Sequence, residues 1–203
     1  MKLLLIRHGQ SQGNAEHRLQ GWLDSPLTEL GRDQMRALAR RLQGDGWGVS
    51  ALYASTLSRA AESGEILAAA LGVPLALDER LREYHVGEFT GLTWQEIEER
   101  FPDLAAQWQS ASRRPPIPGE EGDQAFCARL AEAFEEIIAA HHPHETVGIV
   151  AHGGTFNVYL KYLLGLDLDI RGPFAFANAA LSVVQLEEWG PRITLLNDTS
   201  HLR

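Results

Sequence analysis

One cysteine in 203 residues, Cys127, excludes an intramolecular disulfide framework. It lies in a helix-like run of alanine, phenylalanine and leucine, the setting of a small buried hydrophobe rather than a nucleophile. Long hydrophobic runs are missing as well. The N-terminal segment Met1-Lys2-Leu3-Leu4-Leu5-Ile6 reaches charge at Arg7 after four apolar residues, too few for a secretory leader or a membrane span. A cytoplasmic location is therefore expected by default. Positive charge is also scarce, with 18 Lys and Arg against 27 Asp and Glu for a formal net charge of -9. The adjacent cation pairs, Arg40-Arg41 and Arg113-Arg114, read as solvated helix ends or loops, so neither nucleic acid nor an anionic membrane is an expected partner.

What is present is enough apolar material, 44% of residues, to bury the core of one domain spanning 1–203. Leu3 to Ile6 and Val147 to Ala151 read as short buried parallel strands, and each leads at once into a His-Gly pair. Between them the pattern alternates. A helix over Leu27 to Leu42 has Pro26 and Thr28 as start signals, Gly44 as its stop, and Leu30, Met35, Leu38 and Leu42 near one face. A strand at Leu52 to Ala54, a helix from Leu57 to Leu71 ended by Gly72 and Pro74, and a strand at Leu75 to Leu77 follow. A helical stretch from Thr93 to Trp108 is interrupted by Pro102, and Arg113 to Gly122 is a polar, proline-rich loop. Helices over Asp123 to His141 and Thr155 to Leu164 flank the Val147 strand, and Ser182 to Leu186 with Ile193 to Leu196 form a hairpin split at Gly190-Pro191. The expected fold is α/β, a three-layer sandwich with a mainly parallel mixed sheet flanked by helices and a small helical cap inserted at about 89–122.

Ligands of open α/β sheets gather at the carboxyl ends of strands, which is where both strand-His-Gly units put their histidines. His8 and His152 thus become candidates for one site, and the glycine after each lets backbone come close to a ligand. Metal ligation is the weaker branch. HExxH and a cysteine pair are absent, and the remaining candidate, His141-His142-Pro143-His144, reads as a solvated loop away from those strand ends, so no metal or cofactor is expected. A phosphoryl site needs cations of fixed geometry. Arg7 leaves the same strand end as His8, and Arg59 opens the helix after the Leu52 strand. A neutral imidazole, with an ordinary pKa of about 6.5, can attack phosphorus, and a carboxylic acid must protonate the departing oxygen. Glu83 is the candidate acid, although spacing alone leaves Glu79 and Glu88 open.

These residues carry a resemblance to the histidine phosphatase, or phosphoglycerate mutase-like, superfamily from the first strand almost to the last residue. The blocks are Arg7-His8-Gly9-Gln10-Ser11-Gln12-Gly13-Asn14, Gln20-Gly21-Trp22 with Asp24-Ser25-Pro26-Leu27-Thr28, Ser55-x-x-x-Arg59-Ala60, Leu81-Arg82-Glu83 leading to Gly87 and Gly91, and Ala151-His152-Gly153-Gly154. The resemblance implies that His8 is the nucleophile and Glu83 the proton donor and later base. It implies that Arg7, Arg59, Asn14 and His152 hold the phosphoryl oxygens, that Gly153 approaches the substrate, and that Ser11, Gln20 and Gly21 line the mouth. Ser11 and Ser63 stand where the family more often has threonine. Mutases and phosphatases share this signature; the short Glu83-to-His152 segment and the lack of an evident shielding tail make hydrolysis of a small phosphomonoester the expected reaction, with phosphoglycerate mutase or a non-catalytic phospholigand-binding module as alternatives. Within the phosphatases the bacterial broad-specificity branch looks most similar. Trp22, Tyr84 and His85 are expected to shape specificity, His201 to lie at the surface, and a homodimer stays open.

Overall fold

The computed structural model describes residues 1–110, 115–168 and 172–203; the Arg113-Arg114 pair and part of the proline-rich loop lie outside the described residues. Strands β1 (Lys2–Arg7), β2 (Val49–Ser55), β3 (Leu75–Asp78), β4 (Thr146–Ala151), β5 (Leu181–Glu187) and β6 (Gly190–Asp198) form one sheet in the order β3-β2-β4-β1-β5-β6. The first four are parallel, and β5 and β6 add an antiparallel edge on β1. Successive side chains of a strand point to opposite faces, so the continuous apolar run of β1 serves two cores at once. Leu3 and Leu5 pack with Phe134, Ile137, Phe156 and Leu160 from α6 (Asp123–Ala139) and α7 (Gly153–Leu163). Leu4 and Ile6 pack on the other face with Met35, Leu38 and Leu42 of α2 (Glu29–Gly44) and Leu67 of α3 (Ser58–Leu71). Burying one such leucine is worth roughly 1.5–3 kcal/mol.

The start and stop residues act as their chemistry requires. The Thr28 hydroxyl caps α2 by accepting from the Gly31 N–H, and Gly72 ends α3 at φ 70°, a left-handed conformation without a side-chain penalty. Leu30 is a correction: it is 55% exposed, and Gly31 takes the buried place in that first turn. The reason is steric, because a Cβ on Gly31 would lie 2.1 Å from the Gln10 carbonyl oxygen, so no side chain fits between the helix and the loop that follows His8. Other differences are small: α6 stops at Ala139, α7 starts two residues early at Gly153, and Gly190 and Pro191 belong to β6 rather than to the turn.

The described residues between β3 and α6 carry a small helical insertion. Within them α4 (Trp94–Arg100), with a Thr93–Glu96 capping box, and α5 (Pro102–Ser110), with proline at its first position, enclose Phe89, Leu92, Ile97, Ala105 and Ile117 in a core of their own. His141 lies at the opposite end of the sheet from His8 and His152, bonded to the Tyr53 hydroxyl and the Glu145 carboxylate. Among the described residues no helix is long and apolar enough to cross a membrane, and no group of three or more His, Cys, Asp or Glu side chains is placed to hold a metal ion. Cys127 is buried, and burial raises its thiol pKa.

Candidate active site

β1 and β4 run side by side with Arg7 opposite Ala151, so the residues that follow each strand emerge together. The His8 and His152 rings meet edge to face with centroids 5.1 Å apart, and both are almost fully buried. The His8 main chain is held from two sides: its N–H donates to Ala151 O at 3.1 Å, and its carbonyl accepts from Ala179 N at 3.0 Å. His8 Nδ1 lies 2.6 Å from the Gly9 carbonyl. A carbonyl can only accept, so Nδ1 carries the proton and Nε2 presents a lone pair. Burial, with Arg59 and Arg7 nearby, holds the His8 pKa well below the ordinary imidazole range against the smaller opposing pull of Gly9; the ring is neutral at pH 7. His152 is lowered likewise, by burial first and then by Arg59, His8 and Arg7.

Around these rings stand buried donors. Arg59 uses Nη1 and Nη2 to bind Leu23 O at 2.9 Å and Gly21 O at 2.8 Å, and burial pushes its pKa down to about 10 despite the opposing Glu83 charge. Arg7 donates to Phe176 O, and burial lowers it too. His152 Nε2 is 2.8 Å from the Ser55 hydroxyl at the end of β2. Arg7 Nε, Arg59 Nε and His152 Nδ1 are buried with no hydrogen-bond partner among the described residues. Unpaired buried polar groups are costly, and two arginine N–H donors with a third unpartnered ring nitrogen on the residues surrounding one imidazole suit an anion with several oxygens.

Glu83 faces the same cleft. One carboxylate oxygen accepts from Tyr84 N at 2.7 Å and the other from Gly154 N at 2.9 Å, at the start of α7. A Cβ on Gly154 would lie 2.2 Å from that carboxylate, so glycine is what lets the acid sit there. Arg7, His8, Asn14, Gln20, Gly21, Arg59, Glu83 and Gly154 line an open cleft of about 230 Å³, together with Arg18, Leu19, Tyr84 and Val86.

The cleft thus brings together His8, Glu83, Arg7, Arg59, Asn14, Gln20 and Gly21, with His152 against His8. Two expected residues stand elsewhere. Gly153 is not part of the lining, and Gly154 has the cleft-facing N–H. Ser11 is fully buried behind the mouth, its hydroxyl bonded to Asn14 Oδ1 and to Gln20 Oε1. His201 packs on α2 beside Arg41. Sequence reasoning also passed over Asn178, whose amide donates to His8 O, Gly9 O and Asn14 Oδ1, and Ser55, noticed only as part of a motif. Asn178 follows no strand and belongs to no motif; nothing local marks it.

Comparison with known proteins matches residues 3–199 to the family model for the histidine phosphatase superfamily (branch 1). A putative phosphoserine phosphatase 2 from Hydrogenobacter thermophilus is 33% identical over 100% of this chain and 98% of its own length. A metal-independent phosphoserine phosphatase from Arabidopsis thaliana is 34% identical over 99% of this chain and 83% of its own. The solved structure of Bacillus stearothermophilus YhfR superposes with a TM-score of 0.87 at 32% identity, over 100% of this chain and 99% of that one.

Proposed function

We propose that this chain, which belongs to the histidine phosphatase superfamily and is a phosphatase, hydrolyses small phosphomonoesters through a covalent phosphohistidine on His8. The observation that carries the reading is the set of three unpartnered buried nitrogens, Arg7 Nε, Arg59 Nε and His152 Nδ1, around a neutral imidazole with a free Nε2. In the first step His8 Nε2 attacks phosphorus, the P–O bond to the alcohol breaks, and Glu83 in its acid form gives its proton to the departing oxygen. In the second, water attacks the phosphohistidine, the Glu83 carboxylate takes a water proton, and the P–N bond breaks to release phosphate. The arginines bear the charge spread over the equatorial oxygens, so the protein contributes mainly position and field. No metal has a role in this scheme. Leu19, Tyr84 and Val86 beside Arg18 and Gln20 offer the alcohol portion a mixed apolar and polar wall, in keeping with a broad range of small substrates. Relatives named as phosphoserine phosphatases make phosphoserine the first ester to try.

The test is phosphate release from phosphoserine and an aryl phosphate in the presence of chelator, with acid-labile phosphate trapped on the protein. His8→Ala is expected to abolish both release and label. Full activity in that variant would remove the mechanism, chelator-sensitive turnover would remove metal independence, and primer-dependent isomerisation of 3-phosphoglycerate outrunning hydrolysis would favour the mutase reading.

A further inference from the structure

We propose that Arg129, paired with Glu121 and joined by Trp22, is a positioning clamp that sets Glu83 at the bond to be broken; the inference rests on the reading of Glu83 as proton donor. The chain from Arg80 to Glu83, at and just past the short 3-10 turn Glu79–Leu81, lies outside the sheet, so the carbonyls of Arg80, Arg82 and Glu83 have no strand partner. Arg129 reaches across from α6 to supply them. Its Nη1 donates to Arg80 O at 2.6 Å and Arg82 O at 2.8 Å, and its Nη2 donates to Glu83 O at 2.9 Å. Trp22 Nε1 donates to the same Glu83 carbonyl at 2.7 Å from the other side. The remaining Arg129 N–H groups, on Nε and Nη2, bind the two carboxylate oxygens of Glu121 at 2.9 and 2.8 Å, and Glu121 also accepts from His85 N at 2.8 Å. All five guanidinium hydrogens thus have acceptors, three of them main-chain carbonyls within the four residues ending at Glu83.

The pair is well shielded, at 18% and 15% side-chain exposure, and the guanidinium lies over the Phe126 ring at 4.5 Å with Trp22 at 6.0 Å. The planar fork matters here: a lysine offers three donors on one point and cannot span three carbonyls and a carboxylate. Arg129 is not among the residues that line the cleft. What it controls is where the Glu83 backbone stands, and through it where the carboxyl group meets the ester.

A merely structural residue would impair every substrate alike, whereas a clamp on the acid is felt only when the leaving group needs a proton. The experiment compares kcat/KM for an alkyl ester, phosphoserine, with that for p-nitrophenyl phosphate, whose phenolate departs without one; kcat/KM reports steps up to loss of the alcohol and is blind to the later attack of water. Misplacement by about 1 Å costs on the order of 100-fold, so Arg129→Met is expected to lose roughly 30- to 100-fold on phosphoserine and less than about 5-fold on the aryl ester, with the inhibition constant for inorganic phosphate unchanged. Glu121→Gln, which keeps the fork but weakens its anchor, is expected to shift in the same direction by less, and it decides the matter if Arg129→Met does not fold. Equal losses on both esters, or a phosphate inhibition constant raised in proportion, would overturn the clamp. Glu83→Gln is the reference. If it too loses equally on both esters, Glu83 is not the acid and both ideas fall; if it alone is ester-selective, only the clamp does.

Discussion

His8 and Glu83 line one cleft and are held there by different means. The His8 side is bonded into the sheet centre through its own main chain, to Ala151 on β4 and Ala179 before β5. The Glu83 side has no strand to join; its backbone is held by Arg129 and Trp22 and its carboxylate by the Gly154 N–H. The proposed nucleophile is therefore as rigid as the fold, whereas the proposed acid is only as well placed as a few long-range side chains allow.

Two glycines probe that contrast most strongly. A Cβ on Gly9 would stand 2.3 Å from the Gly31 carbonyl oxygen, backbone against backbone, with neither side free to yield. Gly9→Ala is expected to displace the nucleophile, cutting kcat/KM by about 100-fold or more for every ester and lowering stability by roughly 1–3 kcal/mol in urea melts. Gly154→Ala meets a flexible carboxylate instead. It is expected to fold normally, lose about 100-fold on phosphoserine, and still form phosphohistidine from p-nitrophenyl phosphate. Identical substrate profiles for the two variants would erase the distinction between the halves.

Acid should expose the nucleophile half first. His8 and His152 have folded pKa values depressed below their unfolded ones, so below about pH 6.5 the unfolded chain binds protons that the folded chain does not. Stability is complete above that value and falls as pH drops from about 6.5, by up to about 1.4 kcal/mol per pH unit for each histidine. Urea midpoints between pH 7 and 5 should decline less steeply in His152→Asn; parallel curves would count against the assignment. Smallest is Trp22→Phe, which removes one of two donors to the Glu83 carbonyl. A loss of about 5-fold on phosphoserine, and none on the aryl ester, is the expected result of steady-state assays.

The same division explains what was readable beforehand. The parallel sheet, both histidines and the start of α2 were legible because each is written locally, in apolar runs of strand length, in His-Gly after a strand, and in Thr28 at a cap. Leu30 was misread because helical spacing cannot report that the Gln10 backbone leaves room only for Gly31. Glu83 could not be told from Glu79 or Glu88 by position alone, and the resemblance was needed to select it. Asn178 and Arg129 were missed because the main-chain carbonyls they bond lie 46 or more residues away, and a hydrogen bond to a distant carbonyl leaves no mark on neighbouring residue types.

The place of β4 in the sheet has a consequence for how the protein comes into being. β1 and β2 do not pair with each other; β4, made roughly a hundred residues after β2, inserts between them and bonds to both. Until that strand arrives, Arg7-His8-Gly9 sits beside an open edge, and the second histidine rides in on the strand that closes it. Most of the sheet is thus built from partners far apart in the chain, a topology that folds slowly for its size. During synthesis the proposed catalytic centre is among the last parts to exist, so a chain stopped short of β4 carries His8 but no cleft around it.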